Sequence, residues 1–303
     1  MNTKMMKHVP IACCFCLFLS LVGCTDPQPT PYPTAVTSTS TNQLPARPYI
    51  TVQFCSDDTS SYPREDFKNA NTLMATSLIN AVRSNQSGLK LYASAITHNT
   101  FDPANSLSPV FTITAIPAYP VPPKIIPTPT PFNVVTDRAT KITVLTTDNA
   151  VITAYNAQVQ EIDKQIQSQV NAITQDTNRL KDWNIPVDNT ATSVFGCFEI
   201  ARSNFKNQSG VKLLYIASDF ENNTSIDFTN ELVTSHGLDG VIVHSIFFYS
   251  ENAVRAQQKM NEWCPILKAA GAKSVTFDER TRSTALASID LFTTDATTTD
   301  SSC

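Results

Sequence analysis

Glycine is scarce in this chain of 303 residues, with seven in all. Loops that cradle phosphates rely on clustered glycines, because backbone N–H groups must come very close to the anion. Neither GxGxxG nor GxxxxGK[ST] occurs, so the sequence offers no nucleotide-binding loop of those kinds. Histidine is scarcer still: His8, His98, His236 and His244 are scattered, with no HExxH and no pair at metal-ligand spacing. A Gly-x-Ser-x-Gly elbow is missing, which removes the signature of a serine hydrolase of the α/β type. Asp57-Asp58 does not complete a phosphoryl-transfer set, since an aspartyl nucleophile needs a Lys and a second acid that cannot be assigned. Charged residues make up 16% of the chain and the net charge is −4, which leaves no basic footprint for nucleic acid. The sequence reads as a binding protein and not an enzyme.

Cysteines are eight in number, and beyond Cys24 only Cys55, Cys197, Cys264 and Cys303 remain, none in a CxxC pair. A disulfide is open to them outside the cytoplasm, but spacing assigns none. Cys55 closes an apolar strand and Cys197 lies in a helical stretch, so both read as small apolar core residues.

The N-terminus addresses the protein. Lys4 and Lys7 precede an apolar run from Val9 to Gly23, interrupted by Pro10 and Ser20. Such a run falls short of the roughly 20 residues of a spanning helix and suits a signal-peptide core, although an uncleaved anchor shares some of these features. It ends Leu21-Val22-Gly23-Cys24. This resembles the lipobox of bacterial lipoproteins, which implies a signal peptide over 1–23, lipidation (palmitate) of Cys24, and a bacterial membrane address on the extracytoplasmic side. Cys13, Cys14 and Cys16 would leave with the signal. Residues 24–47 are rich in Pro, Thr, Ser and Gln and read as a disordered stalk. The last stretch, 284–303, reads as mostly disordered. Sequons at Asn85, Asn207 and Asn222 are treated as chance.

Between these ends, residues 48–283 alternate period 2 with period 3.6, which predicts an α/β fold: a doubly wound, mostly parallel sheet with helices on both faces. Strands are expected at Tyr49–Cys55, Leu89–Ile96, Pro109–Ile116, Val211–Ala217, Gly240–Tyr249 and Lys273–Phe277. Helices are expected at Arg64–Arg83, ended by Gly88, at Ser193–Phe205, ended by Gly210, and at Glu251–Ala270. The segments Asn85-Gln86-Ser87-Gly88-Leu89-Lys90-Leu91 and Asn207-Gln208-Ser209-Gly210-Val211-Lys212-Leu213 echo one another as one helix-stop, strand-start device used twice. An insertion, 117–186, opens with a Pro-rich stretch and continues as a long helix over Asp148–Trp183. Ile152, Tyr155, Val159, Ile162, Ile166, Ile173 and Leu180 give that helix an apolar stripe, with Gln169 and Asp176 breaking the seam. Packing on its own domain is favoured over a coiled coil.

Three segments place oxygen ligands at strand ends, where open α/β sheets bind their ligands. Asp57-x-Thr59-x-Ser61 follows the first strand, Thr192 precedes the helix at Ser193, and Asp219 ends the strand at Ala217. Hard oxygens in tight loops suit Mg²⁺. The pattern resembles the von Willebrand factor type A (VWA) domain, which carries Asp-x-Ser-x-Ser after its first strand, a Thr before a later helix and an Asp after its fourth strand. The resemblance implies a metal-ion-dependent adhesion site (MIDAS) from Asp57, Thr59, Ser61, Thr192 and Asp219, holding Mg²⁺ (or Mn²⁺ or Ca²⁺), with Thr190 as the fallback for Thr192. It further implies a membrane-tethered protein-binding module for adhesion or assembly, whose partner offers an exposed Asp or Glu. Thr59 replaces the usual middle Ser; Ser56 stands where an apolar residue is usual, and Ser60 and Phe220 where Gly is common. Asp57, Thr59 and Ser61 also fit plain caps of the following helix. The alternative function is a metal-free solute-binding or structural lipoprotein of the same fold.

Overall fold

Among the described residues, apolar-rich segments build six strands, and the helices between them cover both sheet faces. The computed structural model describes residues 49–84, 88–123, 136–187, 190–224, 229–279, 291–292 and 303, and no side chains for 108–109 and 136–148. The signal segment, Cys24 and the stalk lie outside the described residues. The described residues belong to one compact unit.

The chain runs β1 (Ile50–Asp57), α1 (Arg64–Arg83), β2 (Leu89–Ile96), a 3₁₀ turn (Pro103–Asn105), β3 (Ser106–Ile113), α2 (Thr136–Lys181), α3 (Val194–Phe205), β4 (Val211–Ala217), α4 (Thr229–Thr234), β5 (Ile242–Phe248), α5 (Ala253–Ala269) and β6 (Ser274–Glu279). The strands form one six-stranded sheet in the order β3-β2-β1-β4-β5-β6. Neighbours are parallel except β2 and β3, which pair antiparallel. This is the doubly wound α/β architecture expected from the sequence. Parallel strands are covered on both faces, and their side chains sort accordingly. Ile50, Val52 and Phe54 of β1 face a core shared with α1 and, beyond it, α2. Cys55 of β1, with Leu214 and Ile216 of β4, faces a second core shared with α3 and α5.

Several boundaries move. β1 extends two residues past Cys55, so Asp57 ends the strand and does not sit in the loop. β3 is Ser106–Ile113 and not 109–116; as an edge strand it tolerates Pro109, which has no N–H to donate. Gly88 does not end α1, which stops at Ser84. Its place is set by β1 instead: a Cβ there would lie 2.8 Å from the Tyr49 ring, and its carbonyl accepts the Ile50 N–H. Gly210 flanks Tyr49 from the other side at φ +97°, where a Cβ would collide with the Tyr49 carbonyl oxygen. The two similar segments therefore lead into the two strands that sandwich β1.

α2 spans 46 residues, about 69 Å at 1.5 Å per residue, and begins well before Asp148. Its C-terminal half packs on α1 through Val170, Ile173 and Leu180, with Trp183 beside Phe67. Farther up, Val151 is 47% exposed. Residues 114–119, leading into the Pro-rich stretch, contact the helix, where Tyr119 donates to Asp163 at 2.6 Å and Gln169 to the Thr114 carbonyl at 2.8 Å.

One sequence reading is corrected outright. Cys55 and Cys197 are not separate apolar thiols: they form a disulfide, as do Cys264 and Cys303. A strand end and a helix far apart in sequence bring the first pair within 6.2 Å, Cα to Cα, which spacing alone does not reveal. In the tail, expected to be mostly disordered, the described residues pack on the domain. Leu291 and Phe292 are buried in the first core, and the Tyr215 hydroxyl donates to the Leu291 carbonyl.

Candidate metal site

In a sheet of this order the connections leave β1 and β4 in opposite directions, and the crevice between their carboxyl ends is where ligands bind. β1 ends at Asp57 and β4 at Ala217, followed by Ser218 and Asp219. The strand ends thus deliver both carboxylates to the crevice.

Asp57 is fully buried and each of its oxygens is held. Oδ1 accepts from the Thr59 N–H at 3.0 Å and the Thr59 hydroxyl at 2.7 Å. Oδ2 accepts from the Ser218 hydroxyl at 2.6 Å. Thr59 has one hydroxyl proton, and Asp57 takes its bond. The Thr192 hydroxyl, at 3.1 Å, therefore donates to Thr59, and Ser61, at 3.2 Å, does the same. Four of the five expected ligands, Asp57, Thr59, Ser61 and Thr192, thus form one hydrogen-bonded string, although Thr192 lies 133 residues from Thr59. The fifth, Asp219, is buried and close enough for its charge to act on Asp57. Burial pushes the Asp57 carboxyl up to about 7; Asp219 adds to the rise, and the bonds from Ser218 and Thr59 oppose it. Thr192, not the exposed Thr190, occupies the site. His98 is exposed in the loop after β2.

Thr192 is held by its neighbours. Its N–H donates to the Asn223 side chain at 2.5 Å and its carbonyl accepts from the Asn223 N–H at 3.2 Å. The start of α3 is pinned as well: the Val194 N–H donates to Asn222, and the Ser193 carbonyl accepts from the Thr100 hydroxyl. Gly196 allows that close approach, since a Cβ there would lie 2.7 Å from the Thr100 Cβ. The Cys55–Cys197 disulfide then ties α3 to β1 two residues before Asp57.

The mouth of the site is a cavity of about 440 Å³ bordered by Asp57, Thr59, Ser61, Arg64 and Val187. Ser61 is exposed, while Asp57, Thr59 and Thr192 are buried, so the string runs from solvent inward. Asp58, also buried, pairs with Arg64, whose guanidinium reaches Asn184 at 2.5 Å and the Ile185 carbonyl at 3.3 Å. This joins the loop after β1 to the segment after α2.

The residues fit a hard divalent cation. Asp57 and Asp219 are both buried carboxylates, Asp57 is pushed toward neutrality by burial and by the Asp219 charge, and the remaining donors are hydroxyl oxygens. A small ion that takes oxygen ligands and keeps some water relieves that repulsion. Among the described residues no three His, Cys, Asp or Glu side chains gather into one group that could hold a metal ion.

Sequence reasoning missed Ser218, Asn222, Asn223 and Lys259. Ser218 adjoins Asp219, and its position at a strand end is the available signal. The other three matter through bonds across the fold that local spacing does not encode.

Fold and site together define a doubly wound α/β domain with an oxygen-lined cleft at its switch point. No family model matches the chain and no curated protein matches it in sequence. Among solved structures it is similar to "proximal thread matrix protein 1 (PTMP1) from the mussel byssus", at 11% identity and a TM-score of 0.36, over 80% of this chain and 44% of that one. A likeness this weak says nothing about function. Among the described residues no helix is long and apolar enough to cross a membrane.

Proposed function

We propose that this is a VWA-type binding module, lipid-anchored through Cys24 on the extracytoplasmic side of a bacterial membrane, that recognises a protein partner through a divalent ion. One observation carries the reading: the Thr192 and Thr59 hydroxyls meet at 3.1 Å beside Asp57, so oxygens from distant loops converge on one point. Helix capping by Asp57, Thr59 and Ser61 does not require Thr192 bonded to Thr59 or the Asp219 charge acting on Asp57. Asp57, Thr59, Ser61, Thr192 and Asp219 would hold the ion, Mg²⁺ first among candidates. When bound, it supplies an electrophilic centre whose open coordination a partner's Asp or Glu completes. Ser218 orients Asp57, Asn223 fixes Thr192, and the mouth at Ser61 and Arg64 admits the partner's side chain. No reaction is proposed.

A metal-free solute-binding or structural role is the second reading. It is favoured by the fact that both Asp57 oxygens already have hydrogen-bond donors. Thermal unfolding in Mg²⁺ and in EDTA separates the two. Saturation at about 100 times Kd adds about 2.7 kcal/mol to the folded state, which for a domain of this size raises Tm by roughly 5–10 °C. A rise that Asp57→Ala abolishes supports the metal site; no rise in the native protein supports the second reading.

A further inference from the structure

Asp219 sits on a backbone that does not hold its own shape. Phe220, directly after it, has φ +57°, a conformation that bulky side chains rarely adopt and that strains the backbone. Gly, the common residue at this point of the VWA pattern, would take it freely. The Phe220 ring offsets the cost by packing among Phe248, Trp263 and Phe277, with centroids 5.3–5.9 Å away. The turn is then held by one face of α5. Lys259 donates to the Asp219 carbonyl at 2.5 Å, and Trp263, one helical turn on, donates its indole N–H to the Phe220 carbonyl at 3.2 Å. Lys259 and Arg255, one turn before it, both pair with the Glu221 carboxylate, at 2.8 and 3.2 Å. Three α5 residues at i, i+4 and i+8 thus grip three consecutive loop residues, Asp219, Phe220 and Glu221.

Lys259 is the centre of this grip and is only 7% exposed. A buried ammonium is costly unless it is paired and hydrogen-bonded. Here both conditions are met by the loop that carries Asp219. From the same loop, Ser218 bonds Asp57, and Asn222 and Asn223 bond the start of α3. Fixing the loop against α5 therefore fixes how Asp219 stands to Asp57 and to Thr192.

We propose that Lys259, supported by Trp263, is a positioning residue for the divalent-ion site, setting the Asp219 loop from the α5 side through the Asp219 and Phe220 carbonyls. The inference rests on the metal-binding reading above and adds a partner element to it. Charge and placement make opposite demands. A cation beside the site opposes a second cation, so removing the ammonium on electrostatic grounds alone tightens metal binding. Loss of placement weakens it.

The test is Mn²⁺ titration of the full chain, native and variant, with thermal unfolding in EDTA alongside. Lys259→Met keeps the stem and removes the ammonium; Trp263→Phe keeps an aromatic ring and removes the indole N–H, and it serves if the first variant does not fold. Each is expected to weaken Mn²⁺ binding by about tenfold or more, the range that partners of metal ligands command. Leu267→Ala, a buried α5 residue away from the loop, is the control: it lowers Tm and leaves Mn²⁺ affinity unchanged. Unchanged or tighter binding in the folded Lys259 or Trp263 variants, with the native protein binding normally, overturns the positioning role and leaves the metal site standing. A native protein that binds no Mn²⁺ overturns both. Equal weakening in Leu267→Ala also overturns it, since general destabilisation then explains the loss.

Discussion

Asp57 is a carboxylate placed where burial and a second carboxylate both favour its neutral form. Its folded-state value, about 7, lies above its ordinary 3.8. Between those limits the folded protein binds more protons than the unfolded chain, so this group lowers stability as pH rises through the window. His244 acts in the opposite sense. Burial beside Tyr215 lowers it to about 4, and stability is lost as pH falls from about 6.5 toward that value. Removing the Asp57 charge isolates the first effect: in EDTA, the Tm of the native protein should fall from pH 5 to pH 8 more than that of Asp57→Asn, with the His244 contribution common to both. Parallel curves would show that the Asp57 carboxyl is not strained. At this scale Asp57, Thr59 and Ser61 are legible in the sequence because they lie at alternate positions of one short stretch, and Thr192 and Asp219 because each adjoins a recognisable helix or strand end. Asn223 and Lys259 are not, because hydrogen bonds between distant loops leave no periodic mark. Phe220 is visible as a departure from Gly, but its strained backbone and aromatic seat cannot be read from the residue alone.

Elements are easier to read than their limits. Periodicity delimits α1, β2 and β4 correctly, since their apolar pattern is strong and sharply bounded. α4 escapes it because six residues carry too little periodicity. α2 is recognisable from Asp148 onward, and its earlier start is hidden by a Thr-rich sequence whose helix propensity is modest. Packing on its own domain holds for its C-terminal half. Leu180 is fully buried against the domain while Val151 is half exposed. Leu180→Ala should therefore cost about 2–5 kcal/mol in chemical unfolding, and Val151→Ala within about 0.5 kcal/mol. Similar costs at the two positions would mean that the helix is held along its whole length. Gly196 makes the complementary case at α3. Its Cβ clash with Thr100 should make Gly196→Ala cost about 1–3 kcal/mol, although Ala is otherwise the better helix former. A stabilised variant would show that α3 need not lie so close to the loop after β2.

Across the whole molecule, topology places the site and covalent links hold it there. The reversal of strand order at β1 and β4 opens the crevice, and the Cys55–Cys197 bridge joins β1 to α3 across a sequence separation of 142. Constraining a loop of that length is worth about 4–5 kcal/mol on chain-entropy grounds. The paired variant Cys55→Ala, Cys197→Ala should lose a comparable amount in denaturant, and an unchanged midpoint would argue against the bridge. The fold class is legible because alternating strands and helices leave few ways to build a sheet. The pairing of cysteines is not, because it depends on which strand and helix become neighbours. If the proposed site is real, oxygens from the end of β1 and the loop after it, from before α3 and from after β4 hold one divalent ion. Mn²⁺ titration followed by electron paramagnetic resonance, on the native chain and on Thr192→Val, tests it most directly, because that substitution removes one hydroxyl far in sequence from Asp57 and nearly preserves shape. The expected result is a single saturable site that Mg²⁺ competes for, weakened about tenfold or more in the variant. No saturable binding, or equal affinity in the two proteins, would contradict it.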